Sequence, residues 1–473
     1  MEAGDLPPPA ARRWTGEQQQ VILAEGAVSV VHARSGAGKT TVLRGYAKRR
    51  PQRRILYLVF NKANQLEAEA SFPSNTKPQT SHALAFRVTG ARYRNKLGDT
   101  KPVAVSRVFG TSNATASEAI GLVRRFLSSG CATVAAVADP RNPKDRTALP
   151  YAEQLWELMQ DTNRRDVPMP HDGYLKLFDL EGHVVKGYDI ILFDEAQDAN
   201  PITVNILKRQ QLPLVVVGDE YQAIYGFRGA VNALAQFGGE HFALTNTFRF
   251  GPEIARAANS VLAMFGERNL IVGRGGPSQL YRQGKPAGPY TFLSRTNAGV
   301  IQHGIATGTK KLHFVGGVET YRTDRILDAY FLYARMPDQV QDREFRVFSR
   351  FDQLIEYGEE IDDMEIKAIV QLVTEFGTTT PQRLEDLRAR SAVPVDQAEV
   401  TMTTFHRSKG LEWDNVVLGD AFDWSKFLEE DPRKRLAKFR EELHGLYVAG
   451  SRARQRLWIN PTLEAIMRAY PVG

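Results

Sequence analysis

The chain has 473 residues, 42% hydrophobic and 24% charged, with 61 Lys and Arg against 54 Asp and Glu. That length predicts about two to four domains, and the ordinary composition excludes long disordered stretches. A single cysteine, Cys131, excludes an internal disulfide framework and a thiolate zinc cluster. No apolar run approaches the roughly 20 residues that span a bilayer and no signal peptide opens the chain, so a soluble intracellular protein is expected. The net charge of +7 is too mild to identify a polyanion partner by itself.

The first informative segment is Val28-Ser29-Val30-Val31-His32-Ala33, an apolar run rich in β-branched residues that predicts a buried strand. It leads directly into Arg34-Ser35-Gly36-Ala37-Gly38-Lys39-Thr40-Thr41 and then a helical pattern from Val42. Strand, glycine-rich turn and helix start form the context of a phosphate-binding loop. Gly36 and Gly38 let backbone N–H groups converge on phosphate oxygens at a helix N-terminus. Lys39 is expected to reach the β and γ phosphates of ATP, and the Thr40 hydroxyl to bind Mg²⁺. Ala33 stands where the usual pattern has its first glycine.

Further along, Ile190-Ile191-Leu192-Phe193 predicts a second buried strand, ending in Asp194-Glu195-Ala196-Gln197-Asp198. Asp194 is then placed to hold Mg²⁺, and Glu195 to orient and deprotonate an attacking water. A third strand, Leu214-Val215-Val216-Val217, ends at Gly218-Asp219-Glu220-Tyr221-Gln222. Three buried strands, each ending in polar residues, predict a parallel α/β sheet with its site at the strands' carboxyl ends. A P-loop kinase or a simple nucleotide switch would fit this much equally well.

The order of segments resembles that of superfamily 1 helicases of the UvrD/Rep type, and is most similar to the helicase region of the F-box DNA helicases. The similarity runs from about Thr15 to Leu457, with no F-box sequence preceding it. The resemblance implies an α/β fold of two RecA-like P-loop parallel-sheet lobes with two mainly helical insertions. Thr15-Gly16-Glu17-Gln18 is similar to the family's adenine-reading segment, which points to Gln18. With Ala33 to Thr41 and Glu412, it makes up the expected nucleotide-contacting set. Gln222 would sense the γ-phosphate. Arg249, in Asn246-Thr247-Phe248-Arg249-Phe250-Gly251, and Arg452, in Leu446-Tyr447-Val448-Ala449-Gly450-Ser451-Arg452, are similar to the family's arginine fingers.

Strand contacts are implied in the same way. They fall on Phe60 and Asn61, on Thr80 and His82, on the aromatic pair Tyr225 and Phe227, on Arg295 and Asn297, and on Thr404 and His406. Base stacking on Phe60, Tyr225 and Phe227 would give a sequence-tolerant grip, worth roughly 1–3 kcal/mol per base. His82 and His406 fit a structural hydrogen bond as well as a DNA contact. By the same resemblance the first lobe comprises residues 1–87 and 180–244, around a helical insertion at 88–179. The second comprises 245–318 and 398–473, around a shortened insertion at 319–397. Helix patterns are read at 117–127, 151–161 and 363–376, with a loop signal at Asp139-Pro140-Arg141-Asn142-Pro143.

The expected activity is ATP- and Mg²⁺-dependent movement on single-stranded DNA, 3′ to 5′ by resemblance, in DNA repair or recombination control. Forked or tailed duplexes are the expected substrates, a monomer the expected active form, and no membrane is involved. Its place would be the nucleoid of a bacterium or the nucleus of a eukaryote. Two other readings stand beside it: a translocase that strips bound proteins such as recombinase filaments with little unwinding, and an inactive NTPase kept as a nucleic-acid-binding scaffold.

Overall fold

The computed structural model describes residues 14–59, 61–226, 231–284 and 286–472. The chain forms two compact units, one of Met1–Ala33 with Gly38–Leu244 and one of Arg34–Ala37 with Thr245–Gly473. The short segment Arg34–Ala37 thus groups with the second unit, although it lies within the 1–87 stretch read from sequence as first lobe.

The first unit holds a six-stranded parallel sheet. Its strands are β1 (Val28–Ala33), β2 (Ile55–Val59), β3 (Thr76–Thr80), β4 (Ile190–Phe193), β5 (Leu214–Gly218) and β6 (Glu240–Leu244), in the order β3-β2-β4-β5-β1-β6. All residues of β2, β4 and β5 are buried, as expected of strands covered on both faces. Because β5 lies between β4 and β1, the carboxyl ends of three neighbouring strands deliver the phosphate loop, Asp194 and Asp219 to one edge.

Between β3 and β4 the chain is helical, with helices at Ser81–Val88, Pro102–Phe109, Asn113–Ser128, Pro143–Gln160 and His171–Leu180. Two begin earlier than the 117–127 and 151–161 patterns suggest, and capping explains both. Ser112 accepts from the Thr115 N–H, and Asn142 accepts from the Lys144 N–H with Pro143 at the first helical position. The loop signal at 139–143 therefore ends in the cap itself. Pro150 lies inside its helix and has no N–H to give the preceding turn, a local loss offset by packing. Ala148, Ala152, Leu155, Trp156 and Met159 are all buried, with Trp156 edge-on to Phe126 at 5.4 Å between centroids.

The second unit opens with a short parallel pair, β7 (Asn246–Thr247) and β8 (Val272–Gly273). Its main sheet is again six-stranded and parallel: β9 (Gln279–Tyr281), β10 (Tyr290–Ser294), β11 (Leu312–Phe314), β12 (Val400–Thr404), β13 (Trp413–Leu418) and β14 (Ala453–Trp458), ordered β11-β12-β10-β13-β14-β9. Helices at Thr323–Tyr333, Phe351–Glu360, Met364–Phe376 and Thr380–Arg390 separate β11 from β12. The 363–376 pattern is the Met364–Phe376 helix, N-capped by Asp363, with Ile366, Ile369, Leu372 and Val373 buried on one face. These helices share one continuous core with Phe292, Val400 and Met402 of the sheet. Both units are RecA-like α/β sheets carrying helical insertions.

Candidate nucleotide and nucleic-acid site

In the first unit, the helix Lys39–Lys48 starts from Gly38, whose backbone is left-handed at φ 83°. A side chain there would be strained by that backbone, and the Gln18 amide lies alongside, 3.5 Å from where a Cβ would stand. Gln18 is buried and fixed by a capping box with Thr15, each residue's N–H donating to the other's side-chain oxygen at 3.2 Å. Thr41 packs beside Gly38 in the first turn.

Lys39 Nζ donates to Glu195 Oε2 at 2.8 Å, and the Thr40 hydroxyl donates to Asp194 Oδ2 at 3.4 Å. Tyr57, in the middle of β2, donates its hydroxyl to the same Asp194 oxygen at 2.7 Å. Glu195 has left-handed backbone angles (φ 53°, ψ 40°), rare for a residue with a side chain. Gln197 then extends the network: its amide nitrogen donates to Glu195 Oε2 at 2.5 Å, and its amide oxygen accepts from the Asp219 N–H at 3.0 Å. Gln222 Nε2 closes it on Asp219 Oδ2 at 2.7 Å. A continuous hydrogen-bonded relay thus joins Lys39, Glu195, Gln197, Asp219 and Gln222.

The electrostatics follow from burial and charge. Burial disfavours the Lys39 ammonium, but the Glu195 and Asp194 carboxylates outweigh it and hold the group above its ordinary pKa. The Asp194 carboxyl is raised by burial and then by the Glu195 charge, against the opposing pull of Lys39 and the Tyr57 hydroxyl. Burial and the neighbouring Asp194 push the Tyr57 phenol well up, so it stays a donor.

A cavity of about 290 Å³ in the same unit is lined by Asp194, Glu195, His82, Asp172 and Tyr225 among others. Two residues implied in strand contact therefore share a cavity with the two carboxylates. His82 Nε2 lies 2.9 Å from Asp172 Oδ1, an exposed carboxylate 90 residues further along the chain. Thr80 caps the helix bearing His82 by accepting from the Ala83 N–H, and Asn61 caps the helix Lys62–Ser71 in the same way. Phe60 and Phe227 lie outside the described residues.

In the second unit, Ser35 is the focus. Its fully buried hydroxyl lies 2.9 Å from Ser451 Oγ and accepts from Arg249 at 2.9 Å and from Arg452 at 3.1 Å. Its N–H donates to the Tyr447 hydroxyl at 3.2 Å. Both arginines implied as fingers thus converge on a phosphate-loop residue. Arg249 Nε also donates to Glu412 Oε2 at 2.6 Å, and Arg452 to the Val448 and Leu411 carbonyls. Gly36 is left-handed at φ 72°, and a Cβ there would collide with Thr247 Oγ1 and crowd Arg249. Ala37 closes a tight turn onto the Arg34 carbonyl at 3.0 Å. The Arg34 guanidinium is buried, ion-paired with Glu267 and bonded to the Asn269 carbonyl, so its backbone is the part available to a nucleotide.

The other implied strand contacts sit at the carboxyl ends of adjacent strands, β10 and β12, where Ser294 pairs with Thr404. Arg295 makes a bidentate pair with Glu442 at 2.6 and 2.7 Å, and despite burial that carboxylate raises its pKa. Asn297 opens the helix Asn297–Ala306; its N–H and that of Ala298 donate to Glu365 at 2.8 and 2.9 Å. Burial raises the Glu365 carboxyl, with the two N–H groups opposing. Thr404 Oγ1 accepts from the Arg407 N–H at 3.3 Å, with His406 in the turn between.

Residues 141–240 match the UvrD/REP helicase N-terminal domain, and residues 316–464 the UvrD-like helicase C-terminal domain. The chain belongs to the UvrD/Rep helicase family. It is 29% identical to "F-box DNA helicase 1" of Gallus gallus, over 96% of this chain and 50% of that protein. It is also 29% identical to "F-box DNA helicase protein 1" of Schizosaccharomyces pombe, over 96% of this chain and 58% of that protein. "DNA helicase IV" of Escherichia coli is 26% identical over 59% of this chain. The chain thus spans little more than half the length of the F-box relatives. Among the described residues of this family member, no helix is long and apolar enough to cross a membrane.

Sequence reading gave no role to Tyr57, Gln197, Asp172, Glu442 or Glu365, although Tyr57, Gln197 and Glu442 lie within or at the start of segments that carry the resemblance. Gln197 could have been found, because it lies two residues beyond Glu195 in the same motif. The others are distant in sequence from the groups they bond.

Proposed function

We propose that the chain hydrolyses ATP and couples this to movement along single-stranded DNA, 3′ to 5′, separating duplex strands. One observation carries the reading: Tyr225 and His82 line the same cavity as Asp194 and Glu195, so a change at the hydrolytic carboxylates can be felt by strand-contacting groups. The four subdomains at 1–87 with 180–244, 88–179, 245–318 with 398–473, and 319–397 remain the working division. The relatives' names describe DNA helicases, which agrees with this reading.

ATP phosphates would take Lys39 from Glu195, leaving that carboxylate to orient and deprotonate water. Thr40 and Asp194, whose oxygens already face one another, fit one Mg²⁺ held with phosphate oxygens and water. Among the described residues no group of three or more His, Cys, Asp or Glu side chains could hold a metal alone, which also suits an ion brought with its nucleotide. Bound Mg²⁺ supplies charge neutralisation on the phosphates. Gln222 would report the γ-phosphate through Asp219 and Gln197. Arg249 and Arg452, positioned on Ser35, would stabilise the charge of the transferring phosphoryl group.

The test is a forked duplex carrying a 3′ or a 5′ single-stranded tail, with strand separation followed under ATP and Mg²⁺. Separation only with the 3′ tail supports the proposal. Turnover without separation would favour the protein-stripping translocase, and displacement of a bound recombinase from single-stranded DNA would then be the measurement.

A further inference from the structure

A second cavity of the first unit, about 920 Å³, lies at the ends of the strands opposite Asp194. Arg54 precedes β2, Lys77 is the second residue of β3, and Lys186 precedes β4; Arg87 joins them from the helix Ser81–Val88. No carboxylate lines this groove among the described residues. Arg54 is engaged by Asp189 at 3.7 Å, and His183, on the groove wall, by Glu181 at 2.7 Å. Lys77, Arg87 and Lys186 are exposed and have no ion pair among the described residues. Arg87 sits in the last turn of its helix, where the macrodipole favours a cation. Lys77 and Lys186 have no such local reason to gather there.

The groove is also apolar where a charged patch would normally be wet. Val88 is 52% exposed and Val184 45% exposed, and both line it with Leu84. Two features disfavour other occupants. Phe178 is 1% exposed and offers no face for stacking bases, and the hydroxyl of the half-buried Tyr188 is bonded to Gln79 Nε2 at 3.0 Å. Although β3 is an edge strand, Lys77 and Pro78 within it oppose addition of another strand. An occupant must be held by its side chains, with carboxylates facing the cations and apolar groups facing Val88, Val184 and Leu84.

We propose that this groove docks an acidic segment of a partner protein in which carboxylates alternate with apolar side chains. The proposal is independent of the nucleotide reading, because it uses the opposite ends of the strands. The probe is a short fluorescein-labelled peptide of alternating Asp and Leu, titrated with the full chain and read by fluorescence anisotropy. Polyglutamate and labelled oligo(dT) are run in parallel. The account expects salt-sensitive binding of the peptide and much weaker binding of polyglutamate. Combined Lys77→Glu, Arg87→Glu and Lys186→Glu substitutions should weaken it by about tenfold or more. Val184→Asp, which keeps those cations, should also weaken it, and melting curves for each variant establish that it is folded. Failure of the unaltered chain to bind the peptide, or equal binding by the folded variants, overturns the proposal. A loss confined to oligo(dT) in the triple variant also overturns it and assigns the groove to nucleic acid.

Discussion

The carboxylate network of the first unit and the arginine cluster of the second solve opposite electrostatic problems. Around Asp194 and Glu195, negative charge meets the Lys39 ammonium and neutral donors from Tyr57 and Gln197. Around Ser35, Arg249 and Arg452 donate to the Ser35 hydroxyl and to backbone carbonyls, and Arg249 also to the Glu412 carboxylate. Removing the cation from the first leaves clustered carboxylates that repel one another. Removing Arg249 from the second leaves the exposed Glu412 carboxylate, which Arg454 also approaches at 3.6 Å and which water can reach. The first region is therefore rigidly specified by charge. The second keeps its arginines on partners that a phosphate could outcompete.

Three substitutions sharpen that contrast. The largest effect is expected from Lys39→Ala, which should abolish ATP hydrolysis measured by phosphate release while leaving DNA binding largely intact. Retained turnover would show that Lys39 does not serve the phosphates. Next, Arg452→Ala should lower turnover by roughly 10³-fold, following the arginine-finger precedent, with nucleotide still bound in a fluorescent-nucleotide titration. An unchanged rate would mean the cluster around Ser35 has no part in hydrolysis. The smallest effect is expected from Tyr57→Phe. Loss of a donor that favours ionised Asp194 raises that carboxyl further, so the Mg²⁺ concentration for half-maximal turnover should rise about 2- to 10-fold, the equivalent of one hydrogen bond. A shift in maximal rate alone would place Tyr57 in the fold rather than at the ion.

The parts of this architecture that depend on local pattern were legible in the sequence. The strand 28–33 with its glycine turn, the strand ending at Asp194 and the amphipathic helix over 363–376 each announce themselves through neighbouring residues. Partnerships across the chain were not legible. Tyr57 reaches Asp194 across 137 residues because β2 and β4 are neighbours in the sheet, and nothing in the local pattern of either strand indicates that adjacency. Arg295 and Glu442, 147 residues apart, are hidden for the same reason. Helix starts at Asn113 and Pro143 were missed because polar caps extend a helix beyond its apolar stripe.

The central claim is that the carboxylate network and the residues proposed to contact the DNA strand work as one device. ATP hydrolysis by the chain, measured with and without single-stranded DNA and alongside single-stranded RNA and blunt duplex, tests it most directly. The account predicts a large stimulation by single-stranded DNA and little by the other two. A rate that no nucleic acid changes would contradict it.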